Sequence, residues 1–424
     1  MKKYNENQLL GWDRLEKHIG GAEGRELVLA LQDLYELYDD RLVSWFANLY
    51  DPKIGGWYYS NSARDNDTVI YKEKEYKLLP DAESTCQALG FWTSTGLVGD
   101  ADGYADAIPV WMSRQIAAYI YGLQDPDGYF YHPQWGKNIS ISRRGRDMTW
   151  SRNMLEAFGV TPRYKSIVDA PSGDAAANIL VPEHLKSKEN FAKYLENGNV
   201  NERSYHFGSE VSTQSRQIVA MGLMDQCIEF LNSRQHSESG HWHSEDNYYA
   251  VNGIMKISGI YSVANKPYPN AGAAAISAIR AIGSDEPVHA VVDLWNTWVA
   301  ANNLMRNLRV TGGDAGEREV EKIIGELRAI APEAIRCSKA KMQIFKKDDG
   351  AFSYHPKYPS PTSQGAPVAV PYLPEGDINA TVIASSLLIS MIYSALDLSE
   401  YKVPLFGESE RKMYVEILEK NNEK

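Results

Sequence analysis

The stretch LQDPDGYFYH at residues 123–132 decides the fold, because it joins an apolar helix to a following helix through a glycine turn and aromatic residues. The same phrase occurs three more times, as LYDPKIGGWYY at 49–59, SRQHSESGHWH at 233–243 and FKKDDGAFSYH at 345–355. Self-similarity along a chain is the signature of an architecture built from one repeated unit. We therefore expect a helix–turn–helix unit at each of these four places.

The segments on either side of each turn differ in character. Those before the turns, at 40–50, 111–123, 224–231 and 334–345, carry apolar residues at helical spacing and predict amphipathic outer helices. Those after the turns are more apolar and begin at an acidic residue, which we place at Asp81, Asp147, Asp246 and Asp377. Such a pair cannot bury its faces alone but closes well as a ring. The sequence predicts an all-α fold, an α/α toroid.

The turns are unevenly spaced along the chain. We expect one domain spanning residues 1–424, with excursions from the ring near 161–207 and 312–332. No Pro- or Gly-rich linker divides the sequence into independent parts. The excursion at 161–207 is polar, whereas 312–332 is charged and predicted to be helical.

Bulk properties exclude several classes of protein. A net charge of -11 argues against a nucleic-acid-binding protein, whose affinity rests on a basic face. The first residues lack the apolar core of a signal peptide, and we expect no membrane span. Three cysteines far apart in sequence are typical of a reducing compartment, so the predicted location is cytoplasmic. Walker, dinucleotide-binding and Gly-x-Ser-x-Gly motifs are missing from the sequence.

The repeated turn resembles the QW motif of the terpenoid cyclase and protein prenyltransferase superfamily, in which a helix ends in Gln before a short turn, Gly and an aromatic residue. The best match is RQIAAYIYGLQ at 114–124, leading to Gly128 and Tyr129. This resemblance supports the toroid. It implies little about activity, because one fold carries many functions.

Asp81 and Glu83 lie two residues apart at a predicted helix start, and we take them as candidate catalytic carboxylates that could act as acid or base or bind a sugar. Class II terpene cyclases carry an Asp-x-Asp-Asp motif in a comparable setting, and the resemblance puts Glu83 at the position of the acid that protonates an alkene. Ser84 replaces the following Asp, which argues against that chemistry because a strong acid needs its supporting carboxylate. No Asp, Cys and His set near the cysteines matches the zinc site of the prenyltransferases. The simplest role for each predicted helix-start aspartate is to cap its helix.

A second group of candidates follows the turn at 123–132. Three arginines within four positions, in an acidic protein and beside a helix start, suit a carboxylate, sulfate or phosphate; the alternative is a solvated loop with salt bridges. The candidates for substrate binding here are Tyr131, His132, Trp135, Arg143, Arg144 and Arg146, with Asp147 as a possible catalytic carboxylate.

A third group surrounds the turn at 233–243. His241, His243, Tyr248 and Tyr249 are candidate proton-transfer residues, as in uronate lyases of toroidal fold. Asn252 and Lys256 are four residues apart and share one helical face, where they could bind substrate. A divalent metal at His241 and His243 lacks a full ligand set, so we expect no metal and no cofactor.

Aromatic residues in the turns favour a sugar-like ligand. Trp57 and Tyr58 stand among polar neighbours and are candidates for substrate binding, as is Asp377 at the start of the last inner helix. The leading hypothesis is a carbohydrate-active enzyme that cleaves a glycosidic bond in an oligosaccharide by hydrolysis or by elimination, and the arginines favour an anionic oligosaccharide. Two alternatives stay open. One is a terpenoid cyclase-like enzyme acting on an isoprenoid, with Glu83 as acid and the arginines holding a diphosphate, and the other is a non-catalytic toroid that binds a saccharide or a protein.

Overall fold

A computed structural model describes residues 4–65, 68–169 and 179–423, and most of them are helical. The helices are α1 (Glu6–Ile19), α2 (Gly21–Tyr35), α3 (Asp40–Asn48), α4 (Asn61–Asp65), α5 (Ala82–Thr95), α6 (Tyr104–Ala107), α7 (Val110–Gly122), α8 (Ile141–Ala157), α9 (Lys188–Asn197), α10 (Val200–Ser212), α11 (Ser215–Ala220), α12 (Met224–Arg234), α13 (Tyr248–Ala264), α14 (Ala271–Ile282), α15 (Val291–Thr311), α16 (Gly313–Gln343), α17 (Ile378–Val382), α18 (Leu388–Ala395) and α19 (Glu408–Asn422). A π-helical turn, Ile383–Leu387, makes α17 and α18 one continuous rod.

Six inner helical rods close into a ring. Around the ring, α5 packs on α8, α8 on α10, α10 on α13, α13 on α15, and α15 on the rod α17–α18, which returns to α5. An outer layer covers them, with α2 against α16, α16 against α14 and α15, α3 against α19, and α7 against α8. The predicted all-α toroid is therefore confirmed.

Short antiparallel pairs form at the turns and loops. The strands are β1 (Tyr50–Asp51), β2 (Gly56–Trp57), β3 (Thr68–Tyr71), β4 (Lys74–Lys77), β5 (Thr362–Ser363) and β6 (Ala366–Pro367). They pair as β1 with β2, β3 with β4, and β5 with β6. Each pair is a local hairpin, so the strands add no layer to the ring.

The repeated phrase folds the same way at three of its four places. A backbone N–H two or three residues beyond the glycine donates to a carbonyl one or two residues past the end of the outer helix. The pairs are Tyr58 to Leu49 at 3.0 Å, Tyr131 to Leu123 at 2.9 Å, and Ser353 to Phe345 at 3.0 Å. At Gly128 the φ angle is +93°, and a Cβ would lie 2.7 Å from the Lys165 carbonyl oxygen. Glycine is therefore required by both the local geometry and the close approach.

Two of the four predicted inner-helix starts are correct. The carboxylate of Asp81 caps α5 by accepting from the Glu83 and Ser84 backbone N–H groups, and the carboxylate of Asp377 caps α17 in the same manner. The other two predictions were wrong. Helix α8 begins after Ser140, which caps it and leaves Asp147 in the second turn, and α13 is capped by Asn247 rather than Asp246. Ser and Asn cap helices as well as Asp does, so the acidic residue alone misplaced the start.

Each predicted excursion contributes a helix to the ring in the residues described. Residues 313–343 form one long helix, so the segment predicted at 312–332 continues into the outer helix that precedes the fourth turn. Within 161–207, residues 170–178 lie outside the described residues, and α10 is an inner helix. The sequence of α10 did not predict an inner helix because it is polar, and it is polar because the inward side of α10 faces a polar cavity rather than an apolar core.

The most apolar helical segment is Ile378–Ala395, which is long and apolar enough to cross a membrane by composition alone. In the described residues, 72% of this segment is buried. That burial is typical of the core helix of a soluble protein. The three cysteines are free thiols, and burial raises the pKa of Cys86 and of Cys227 to about 12.

Candidate functional site

The inner helices surround a cavity of about 500 Å³. Each of the six inner rods contributes lining residues, for example Gln87 from α5, Arg146 from α8, Tyr205 from α10, Lys256 from α13, Asn296 from α15 and Asn379 from α17. A strap at residues 360–364 adds four more polar residues at the mouth. Aromatic and polar side chains dominate the lining, whereas Val292, Val382, Ile383 and Leu387 form an aliphatic strip.

Two cations face this cavity, and both were predicted as binding residues. The Arg146 guanidinium lies 3.4 Å from a Glu83 carboxylate oxygen and 5.4 Å from the centroid of the Trp150 ring. Lys256 has its ammonium 5.6 Å from the Tyr205 ring. Burial, together with the neighbouring Arg146, lowers the pKa of Lys256 to about 7 against the opposing effect of Glu83. An amine with this pKa is partly neutral near pH 7 and can accept a proton.

Tyr205, Asn296 and Tyr354 are among the lining residues that the sequence analysis missed. The Tyr205 hydroxyl interacts with both Tyr354 and Asn296, and burial raises the pKa of the two phenols. Asn296 is fully buried, and its amide lies beside the Tyr205 hydroxyl. Within the described residues this amide makes no hydrogen bond of good geometry.

The predicted carboxylates form a cluster around Arg143 beside the cavity. The Arg143 guanidinium is fully buried and donates to Asp81 at 3.0 Å, Glu83 at 2.7 Å and Asp147 at 3.0 Å. Its planar face lies 4.4 Å from the centroid of the Trp135 ring. Burial raises the pKa of Asp147 to about 7 against the opposing pull of Arg143. Arg143 therefore neutralises a buried acidic cluster and is not placed to contact a ligand.

The Glu83 carboxylate has three hydrogen-bond partners. It accepts from Arg143, from Arg146 and from the Ser363 hydroxyl on the strap. An acid catalyst must present a proton to its substrate, whereas this carboxylate acts as an acceptor in all three contacts. The geometry favours a role for Glu83 in positioning Arg146 and the strap.

Several predicted binding residues lie away from the cavity. Trp57 is fully buried and its indole N–H donates to the Phe46 carbonyl, so its ring is part of the hydrophobic core. The ring of His132 is buried, with Nε2 2.7 Å from the Pro80 carbonyl oxygen, and Trp135 covers Arg143. These rings are packing elements in the structure, because the turns pack against neighbouring helices instead of forming an open rim.

The remaining candidates outside the third group are likewise not among the residues that line the central cavity. Tyr58 donates to Asp51 at 3.0 Å, and Tyr131 donates to Asp127 at 3.0 Å. Arg144 donates to the Lys137 carbonyl and lies above the Tyr131 ring. Asp377 is fully buried, accepts from the Ala380 and Tyr354 backbone N–H groups, and has its pKa raised to about 7 by burial. Its contact with Tyr354 makes it a support for the site.

The third group of candidates, around the turn at 233–243, also lies mostly outside the lining of the central cavity. His241 is buried 3.6 Å from the Asp246 carboxylate, and His243 contacts the Tyr249 ring. The Tyr248 hydroxyl accepts from Lys341 at 2.9 Å, and Asn252 donates to Asp293 at 3.0 Å. In the part of the chain that the structure describes, no three His, Cys, Asp or Glu side chains come together as a metal site would require. Of this group, Lys256 alone is among the residues that line the central cavity.

Comparison with known proteins gives one likeness. No family model matches the chain, and no curated protein is similar to it. Among solved structures, the chain is similar to a type II terpene cyclase from Scytonema in complex with its product merosterolic acid A. The two share 10% identity and a TM-score of 0.40, over 88% of this chain and 99% of the cyclase chain. The likeness gives carbohydrate cleavage no support.

Proposed function

We propose that this protein is an enzyme that binds a small anionic molecule in the central cavity and transforms it by proton transfer. One observation carries the proposal: Arg146 and Lys256 face the cavity, and within the described residues the lining contains no carboxylate. The amide of Asn296, beside the Tyr205 hydroxyl, lies in the same lining. A guanidinium and an amide, next to an amine that is partly protonated near pH 7, suit a carboxylate better than a neutral group.

An anionic oligosaccharide is the substrate class that fits this lining. Rings such as Tyr59, Trp150 and Tyr205 can stack on the faces of sugars. Hydroxyl and amide groups between the rings, including Gln87 and Asn379, can bind sugar hydroxyls. The lining is rich in such groups, whereas a site for a purely apolar substrate would contain few of them.

Elimination suits these residues better than hydrolysis does. A glycosidase needs two carboxylates on opposite sides of the scissile bond. The nearest acidic side chain, Glu83, is occupied by Arg143, Arg146 and Ser363. Elimination from a uronate needs instead a base for the proton next to the carboxylate, a cation for that carboxylate and an acid for the leaving oxygen.

The cavity contains one residue for each of these tasks. Arg146 and Asn296 bind the uronate carboxylate and stabilise the negative charge that develops on it. Neutral Lys256 takes the proton from C5, and the electron pair of the C5–H bond forms the C4=C5 double bond. The C4–O bond then breaks, and Tyr205 gives its proton to the leaving oxygen. The proton on Lys256 then returns to the Tyr205 phenolate through solvent, because the ammonium lies 5.6 Å from the centroid of the Tyr205 ring.

The test is turnover of a panel of neutral and uronic oligosaccharides, followed by reducing ends and by the absorbance of unsaturated products. We expect both signals with uronic substrates and neither with neutral ones. Reducing ends without absorbance would overturn elimination in favour of hydrolysis. Binding without turnover across the panel would instead favour the non-catalytic toroid.

The aliphatic strip favours a second candidate, an isoprenoid cyclase. Val292, Val382, Ile383 and Leu387 line one wall beside the Trp295 ring and could pack against a hydrocarbon chain. Of the three arginines predicted to hold a diphosphate, Arg146 alone is among the lining residues. Incubation with farnesyl and geranylgeranyl diphosphate, with and without Mg²⁺, followed by mass spectrometry of extracted products, separates this candidate. Cyclised hydrocarbon products would establish it and remove the saccharide proposal.

A further inference from the structure

A second cavity adjoins the central one. It has a volume of about 470 Å³ and shares three lining residues with the central cavity: Tyr205, Tyr354 and Gln364. We refer to it as the outer cavity. The Tyr205 and Tyr354 side chains line both cavities, so the tyrosine pair stands at the boundary between them. Two adjoining cavities of this size, each within the usual range for small ligands, are suited to a ligand made of two linked units.

The charges of the two cavities differ. The central cavity has Arg146 and Lys256 in its lining, whereas the outer cavity has Glu210 and His206. Glu210 is 40% exposed and lies 3.5 Å from Arg203, which leaves part of its carboxylate open to a ligand. Ser209 lines the outer cavity and accepts from Arg146 at 3.5 Å, so the cationic and acidic regions meet at this serine. An anionic unit is favoured inside, and a second anionic unit outside would be repelled.

We infer that the outer cavity binds a neutral sugar unit, so that the substrate has at least two units and is cleaved at the Tyr205–Tyr354 boundary. This inference rests on the proposed function and names its substrate more closely. The Tyr194 ring offers a face for the neutral sugar, and Ser142, His206, Ser209 and Glu210 can bind its hydroxyls. The leaving oxygen then lies beside the Tyr205 hydroxyl, where the elimination needs its acid.

Two disaccharides that differ in one carboxylate test the inference. One is a neutral hexose linked to O4 of galacturonate, and the other is digalacturonate. The wild-type protein should bind the first more tightly by about fivefold, the effect of one charge repulsion at close range in a solvated site. Calorimetry gives the dissociation constants, with galacturonate alone as the probe for the central cavity.

Variants of the outer cavity locate the effect. Glu210→Gln should remove the preference between the disaccharides, and His206→Ala should weaken both by a few fold. Neither should change the binding of galacturonate alone. Glu196→Gln is the matched control, because this glutamate lies on the neighbouring helix α9 and is exposed in an ion pair with Arg234. It should leave all three dissociation constants unchanged.

The outcomes separate the inference from the proposed function. If galacturonate binds and neither outer variant changes disaccharide binding, the outer cavity is not a subsite and the inference alone fails. If Glu210→Gln leaves the preference for the neutral unit intact, the charge argument is wrong. If galacturonate itself fails to bind the wild-type protein at millimolar concentration, the proposed function fails and takes the inference with it.

Discussion

At the scale of single residues, Arg143 determines what the carboxylates near the cavity can do. Its guanidinium donates a hydrogen bond to each of Asp81, Glu83 and Asp147, and all four side chains are buried. The sequence correctly marked these residues as unusual, since it placed carboxylates and arginines beside two inner helices. It could not show that they pair with each other, because residues 83 and 143 come together only when α5 packs on α8.

Replacing Arg143 tests this structural role. Arg143→Met should lower the free energy of unfolding by roughly 3–5 kcal/mol, because three buried carboxylates lose their common cation. The measurement is urea denaturation at pH 7 followed by circular dichroism. Arg114→Met, an exposed arginine on α7, should stay within about 0.5 kcal/mol of the wild-type protein. An Arg143→Met protein as stable as this control would show that the cluster is not held by the cation.

Replacing Lys256 tests its proposed role as the base. The pKa of about 7 means that the active, neutral amine is lost as pH falls, so kcat/KM of the wild-type protein should rise with pH and level off above about 7. Lys256→Met should lower kcat by roughly 10²–10⁴-fold. Lys266→Met, at an exposed lysine just beyond the same helix, should keep full activity.

The stability of the Lys256→Met protein separates chemistry from folding. Because the pKa of Lys256 is lowered in the folded state, the unfolded chain binds more protons between about pH 7 and pH 10, and protonation opposes folding there. Stability contributed by this residue is therefore lost as pH falls toward 7. Removing the amine should leave the melting temperature at pH 7 equal or higher. An inactive protein with a lowered melting temperature would not support a catalytic role.

At the scale of secondary structure elements, the repeated turn could be predicted because its information is local. Glycine, the aromatic residue and the preceding helix all lie within a dozen residues. Helices α10 and α15 were missed because no glycine and aromatic phrase precedes them. The start of α15 is instead fixed from a distance, where the Val291 N–H donates to the carbonyl of Tyr354 in the fourth turn. A contact between residues so far apart leaves no local pattern.

The turn glycines give a prediction at this scale. Gly128→Ala should lower the free energy of unfolding by about 1–3 kcal/mol, because φ is +93° and the added carbon would meet the Lys165 carbonyl oxygen. Gly122→Ala is the control, since this glycine ends α7 with ordinary helical geometry and open space around it. It should be neutral or stabilising by a few tenths of a kcal/mol. Equal stability of the two variants in thermal denaturation would contradict the account.

At the scale of the whole molecule, the ring collects side chains that are remote in sequence. Tyr205, Asn296 and Tyr354 come from three separate places and meet in one cavity. Arg146 and Lys256 were predicted from local patterns, but their partners required the closed ring. The chain as a whole is acidic at -11, yet the charged side chains lining its central cavity are cations. The net charge of a chain therefore does not predict the charge of a binding site. The cytoplasmic location expected from the sequence stays a prediction.

Ligand binding to the closed ring should stabilise the whole fold. Galacturonate at about 100 times its dissociation constant should add about 2.7 kcal/mol to the free energy of unfolding by mass action and raise the melting temperature. Galactose, which has the same ring without the carboxylate, should raise it much less. Arg146→Met should abolish the difference between the two sugars, because the carboxylate loses its guanidinium partner, whereas Arg114→Met should preserve it. If galacturonate and galactose shift the wild-type melting temperature equally, the central cavity is not an anion site.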